Sequence, residues 1–163
     1  MKNFIKRMLD KLIFAEGSST TLALSFCLGT FIALSPTIPL QTPLIILISR
    51  LLKFNTTVAI TVLYIINNPI TMVPFYVIDY RVGGWILKKL SIDAVYHNPV
   101  WMEQFSEFIM RFIDIKKYLG TEVLSFWPLL IGGFIVPLVV SMFVYPIAKL
   151  IFTRLLSQRV APE

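Results

Sequence analysis

Thr42-Pro43 and Asn68-Pro69 each set a hydrogen-bonding side chain directly before a proline, inside stretches that carry no charge. Proline lacks an N–H and has a φ suited to the first position of a helix, and a preceding Ser, Thr or Asn can cap that start. Ser35-Pro36 and Asn98-Pro99 repeat the pairing. A helix start offers free N–H groups and the positive end of the helix dipole, which is chemistry for holding a phosphate or a carboxylate. Gln41, Asn55, Asn67 and Thr71 are the other polar side chains near these points, with Arg50 and Arg81 as nearby cations. Ser35, Gln41, Thr42, Arg50, Asn55, Asn67, Asn68, Thr71 and Arg81 therefore form the expected site for an anionic substrate. Each arginine can instead extend outward to lipid headgroups. The Asn, Gln and Thr side chains can equally act as caps and helix-to-helix hydrogen bonds.

Other chemistry is sparse. The chain has no glycine-rich phosphate loop, no HExxH, no GxSxG and no cluster with metal-ligand spacing. It reads as a non-enzyme without cofactor or metal. Cys27, the single cysteine, lies in an apolar run and suits a small buried filler rather than a disulfide or thiolate site. His97, the single histidine, falls in a polar loop. Asp79, near the end of the second uncharged run, marks the membrane interface or, alternatively, a proton-coupled carboxylate.

The elements that must position these residues are apolar. The chain has 163 residues, of which 56% are hydrophobic, and a mean hydropathy of +0.77, above ordinary soluble usage. Gly17–Ser49, Phe54–Ile78 and Val123–Ala148 carry no charge, and each exceeds the roughly 20 residues of a membrane span. The expected class is an all-α, polytopic membrane protein with two Pro-broken, re-entrant-like helical hairpins, amphipathic interfacial helices and a C-terminal transmembrane segment. The net charge of +6 sits at the edges of the apolar runs. That placement suits anionic headgroups and the positive-inside rule rather than nucleic acid. Asp10, Lys11 and Glu16 interrupt what would be the core of a cleavable signal.

The expected plan is a single membrane domain over 1–163. Residues 1–16 form an amphipathic interfacial helix on the cytoplasmic side, with Phe4, Ile5, Met8, Leu9, Leu12 and Ile13 at helical spacing. The first broken hairpin, 18–53, holds helices over 20–34 and 43–53. The second, 54–81, holds helices over 56–66 and 69–81. At 1.5 Å per residue the pieces 43–53 and 69–81 are roughly 16 and 20 Å long, short of the roughly 30 Å hydrocarbon core. They suit hairpins that dip and return, or short tilted crossings. Residues 98–119 form a second amphipathic helix along Trp101, Phe105, Phe108, Phe112, Ile115 and Leu119, lying on the surface, packing in the bundle or pairing with a second copy. The transmembrane segment is 123–148, where Gly132-Gly133 and Pro137 could bend or divide it. The basic tail after it leaves open a single crossing or a third hairpin.

The segment "ALSFCLGTFIALSPTIPLQTPLIILISRLLKFNTTVAITVLYIINNPITMVPFYVIDYRVGGWIL" resembles the bacterial membrane domain of unknown function 2062. The match rests on Gly29, Pro36, Gln41, Thr42, Lys53, Asn55, Asn68, Pro69, Thr71, Pro74, Tyr80 and Gly83. Pro39 stands near the family's turn glycine. The resemblance implies an inner-membrane protein without an assigned activity. Relatives fused to glycosyltransferase-like domains imply work on lipid-linked sugars or the cell envelope. In plan the chain is also similar to DedA-type proteins with re-entrant hairpins. The leading expectation is a protein that binds or translocates a polyprenyl-phosphate or phospholipid headgroup, its partners being membrane lipids and further copies of itself. The rivals are a scaffold for envelope or glycosyltransferase machinery and an ion-coupled carrier or channel.

Overall fold

The structure, a computed structural model, describes residues 17–37, 40–90, 100, 104 and 125–160. The expected helix over 1–16 and the loop with His97 lie outside these residues, as does 98–119 apart from Val100 and Gln104, both helical. The described residues form five helices and no strand: α1 (Ser19–Leu34), α2 (Gln41–Leu51), α3 (Thr56–Ile66), α4 (Pro69–Lys89) and α5 (Phe126–Val160). The chain divides into two compact units, one of residues 1–68 with 137–163 and the other of residues 69–136.

In the first unit, α1 starts at Ser18, whose hydroxyl accepts from the Thr21 N–H at 3.1 Å. It stops at Ser35, whose ψ of 145° is the extended backbone that a following proline demands. Within α1, the hydroxyls of Ser25, Thr30 and Ser35 donate to the carbonyls of Thr21, Phe26 and Phe31, one turn back. A polar residue on a buried helix thereby satisfies itself without leaving the apolar face.

Helix α1 lies directly on α3. A Cβ added at Gly29 would run into the Ala59 backbone and come within 2.8 Å of the Val62 Cβ. Ile32, Ala33, Ile45, Ala59 and Leu63 form one buried cluster along this contact and α2. A second cluster joins Leu22, Ala23, Val58 and Val62 to Ala148 and Phe152 of α5. There the Cys27 thiol donates to the Ser141 carbonyl at 3.5 Å and the Ser141 hydroxyl returns a bond to the Cys27 carbonyl at 3.3 Å.

Helix α2 ends in a Schellman turn. The Phe54 N–H donates to the Ser49 carbonyl and the Lys53 N–H to the Arg50 carbonyl, with Lys53 at φ 56°. Asn55 then caps α3, accepting from the Val58 N–H at 3.1 Å, while its own N–H donates to the Ser25 hydroxyl at 2.7 Å.

In the second unit, α4 begins at Pro69 as the Asn68-Pro69 pair predicts, but it runs to Lys89 rather than stopping at Arg81. Gly83 does not end it, because that glycine is where α4 meets α5. A Cβ on Gly83 would collide with the Pro128 backbone, and one on Gly132 would press into the backbone of Asp79. Each glycine thus admits the other helix, and the buried Leu87 keeps the next turn of α4 packed.

The last uncharged run is one helix. Neither Gly132-Gly133 nor Pro137 divides α5, which continues through the expected end at Ala148 to Val160. The burial of Ala148 and Phe152 in the first unit carries it past that point. Residues 126–158 are long and apolar enough to cross a membrane. Helices α1, α2 and α3 are apolar but shorter.

Candidate functional site

Two breaks interrupt the apolar runs, at 35–40 and at 67–68. The first is a tight turn in which the Thr37 N–H donates to the Ser35 carbonyl and the Leu40 N–H to the Thr37 carbonyl. That turn starts α2 earlier than the expected Thr42 cap. Leu40 takes the capping position and makes no side-chain cap bond, and Gln41 is the first helical residue. Thr42-Pro43 therefore lies inside the first turn. This is tolerated because the N–H that Pro43 lacks is one of four that a helix start leaves without an intrahelical partner.

Gln41, rather than Thr42, is the polar side chain that fastens this break, by bonding the end of α1 and not by capping α2. Its side chain is buried, and Nε2 points to the carbonyls of Ile32 and Ser35 at 3.3 and 3.5 Å. The Ile32 carbonyl lies in the last turn of α1, where Pro36 offers no N–H to meet it, while the Ser35 carbonyl also accepts from the Thr37 N–H. Its Oε1 accepts from Asn67 Nδ2 at 2.5 Å. Asn67 ends α3, so one amide joins the end of α1, the start of α2 and the end of α3.

The structure brings Ser35, Gln41 and Asn67 together, with Thr42 half-buried beside Gln41 in the chain. It separates them from Asn55 and Arg50. Asn55 stands at the opposite end of α3, a helix of 11 residues and roughly 16 Å. Arg50 is exposed in the last turn of α2. Asn68, half-buried, precedes Pro69 and donates its N–H to the Ile66 carbonyl. Thr71 (half-buried) and Arg81 (exposed) belong to the second unit.

Three residues at these positions escaped the sequence reading. Ser25 is fully buried and receives the Asn55 N–H. The Thr37 and Ser49 hydroxyls are buried, as is the remaining carbonyl oxygen of Asn67, and none of these atoms has a hydrogen-bond partner among the described residues. A lone Ser or Thr in an apolar helix gives no signal of its own. Thr37 alone could have been suspected, since it sits between Pro36 and Pro39.

At the break, then, lie an uncapped helix start, a buried hydroxyl and a buried amide carbonyl without hydrogen-bond partners among the described residues, and the exposed side chains of Leu40 and Pro43. Such a set can hold a small polar or anionic group by backbone N–H and neutral donors. No group of His, Cys, Asp or Glu among the described residues could hold a metal ion.

Helices broken at polar turns, with one helix apolar and long enough to cross a bilayer, define the class: an all-helical protein with polar breaks between its helices. The chain belongs to domain of unknown function 2062, a family described as an uncharacterized protein conserved in bacteria, which it matches over residues 2–161. The match reaches well beyond the motifs of residues 23–87 and takes in α5. No curated protein and no solved structure matches the chain, so the plan-level likeness to DedA-type proteins gains no support.

Proposed function

We propose that this is a multi-pass protein of the bacterial inner membrane that binds or translocates an anionic lipid headgroup, a polyprenyl-phosphate or a phospholipid, at the break before α2. One observation carries the reading. Helix α2 starts in the middle of an uncharged run without a side-chain cap, beside the buried and unpartnered Thr37 hydroxyl and Asn67 carbonyl. Free N–H groups and the helix dipole favour an anion there. The Thr37 hydroxyl can donate to a phosphate oxygen, and the Asn67 carbonyl can accept from a phosphate or sugar hydroxyl.

Irregular backbone at membrane depth needs shelter from lipid, which the buried Gln41 amide supplies on one side. The short helices α1, α2 and α3 then dip into the bilayer while α5 crosses it, and α4, extended to Lys89, is no longer too short to cross. Along α5, Phe134, Leu138, Met142, Phe143, Ile147 and Leu150 are exposed apolar side chains suited to a lipid surface. Arg50 and Lys53 lie at the far end of α2 and meet headgroups at the interface. A homo-oligomer would wall the site more fully than one copy.

The experiment is thermal unfolding in detergent with added polyprenyl phosphate, phosphatidylglycerol or zwitterionic phosphatidylcholine. The anionic lipids raise the midpoint of the wild type and much less that of Thr37→Val. Equal shifts with the zwitterionic lipid would reject an anion site. Liposome flipping assays on the same proteins separate binding from translocation.

The closed bonding of the Gln41 amide favours a second reading, in which the breaks only fasten helices and the protein serves as a scaffold for envelope enzymes. Its test is copurification of a glycosyltransferase that is lost on Trp101→Ala or Phe108→Ala.

A further inference from the structure

Asp79 takes no part in the site before α2. It is fully buried on α4, and neither carboxyl oxygen has a hydrogen-bond partner among the described residues. Tyr76, one turn earlier, is also buried, and its hydroxyl has no partner there. Residues three apart share a helix face, so these two polar groups are neighbours.

The α4–α5 crossing encloses that face. A Cβ on Gly132 would fall 3.0 Å from the Asp79 Cα and collide with its carbonyl, and Gly83 meets Pro128 one turn further along. The packed part of α5, residues 126–136, contains no titratable side chain. On α4 itself, Tyr80 is half-buried and Arg81 exposed, at positions about 100° and 200° around the helix from Asp79. Lys88 and Lys89 lie more than two turns beyond. A buried carboxylate requires a counter-charge or several donors. The Tyr76 hydroxyl shares this face of α4 but makes no hydrogen bond to Asp79 in the structure. Space at the crossing is too tight for anything large. A protonated carboxyl is neutral and needs no counter-charge to be buried.

We propose that Asp79 is a proton-binding site, a carboxyl that takes up and releases a proton at the α4–α5 crossing, with the Tyr76 hydroxyl on the same helix face. Protonated, the group is neutral and fits the closed crossing. Deprotonated, it is an anion against the α5 backbone, so release requires the helices to part or water to enter. The crossing is thus the element through which protons act on the second unit. The inference stands whether or not the break before α2 binds a lipid.

The test is labelling of the detergent-solubilised full chain with the apolar reagent dicyclohexylcarbodiimide, which reacts with protonated, buried carboxyls, read by peptide mapping. Asp79 carries the adduct in the wild type, and the yield falls about tenfold per pH unit above the group's midpoint, as for one titrating site. Asp79→Asn removes the adduct, and Tyr76→Phe moves the pH dependence without removing it. No adduct at Asp79 at any pH between 5 and 9 would overturn the proposal. So would protection by sodium at fixed pH, which would make the occupant a metal cation. The wild-type measurement decides the matter even where a variant fails to fold.

Discussion

Asn67 donates from Nδ2 to Oε1 of Gln41 across 26 residues of sequence, tying the break that follows α3 to the break that precedes α2. The same glutamine meets the carbonyls that end α1. Three helix ends therefore depend on one side chain.

Gln41→Met keeps the length of that side chain and removes its polar atoms. The substitution leaves the Asn67 amide and the Ile32 carbonyl unmet, and it should cost about 1–3 kcal/mol for each group left unsatisfied. A fall in the thermal midpoint of the purified protein, larger than for Thr42→Val, is the expected result. Equal small effects would show that the bonds at Gln41 are replaceable by water.

Gly29 and Gly84 form a matched pair. A methyl at Gly29 meets the Ala59 backbone, whereas one at Gly84 meets nothing within 4 Å. Gly29→Ala should destabilise by about 1–3 kcal/mol through forced separation of α1 and α3. Gly84→Ala should stabilise by about 0.5–1 kcal/mol, because alanine loses less backbone freedom in a helix. Chemical denaturation of the two variants in parallel checks the sign of each.

Lys53 occupies the left-handed position of the turn after α2, at φ 56°. That conformation costs an L residue about 1–2 kcal/mol and costs glycine little. Lys53→Gly should therefore raise stability by up to about 1 kcal/mol. If lipid headgroups are held by the Lys53 ammonium, the same variant loses membrane affinity while gaining stability, and liposome flotation separates the two.

Phe143 lies near the middle of the apolar helix 126–158 and is 74% exposed. Phe143→Arg places a cation where the proposed reading puts hydrocarbon. A charge at that depth costs about 2.5–3.5 kcal/mol on insertion scales. The variant should shift from the carbonate-resistant membrane fraction into the soluble or degraded fraction. Retention equal to the wild type would remove α5 as the membrane-crossing element.

Local rules were legible in the residues themselves. The ends of α3 at Thr56 and Ile66, the stop of α1 before Pro36 and the start of α4 at Pro69 follow from proline, Asn caps and apolar length, all set within a few residues of chain. Family membership was legible in the spacing of Gln41, Lys53, Asn55, Asn68 and Gly83, though its reach into α5 was not. What the sequence alone could not decide depended on partners far along the chain. Thr42 lost the capping position because the turn at 35–40 began α2 two residues earlier, and Gln41 gained its role because Ile32 and Asn67 came within reach. Gly83 continues a helix rather than ending one because Pro128 lies against it, and Asp79 moved from a supposed interface to a buried crossing because Gly132 lets α5 approach. Caps and breaks obey the nearest residues. Burial, and the polar groups it strands, obey whichever helix packs on top.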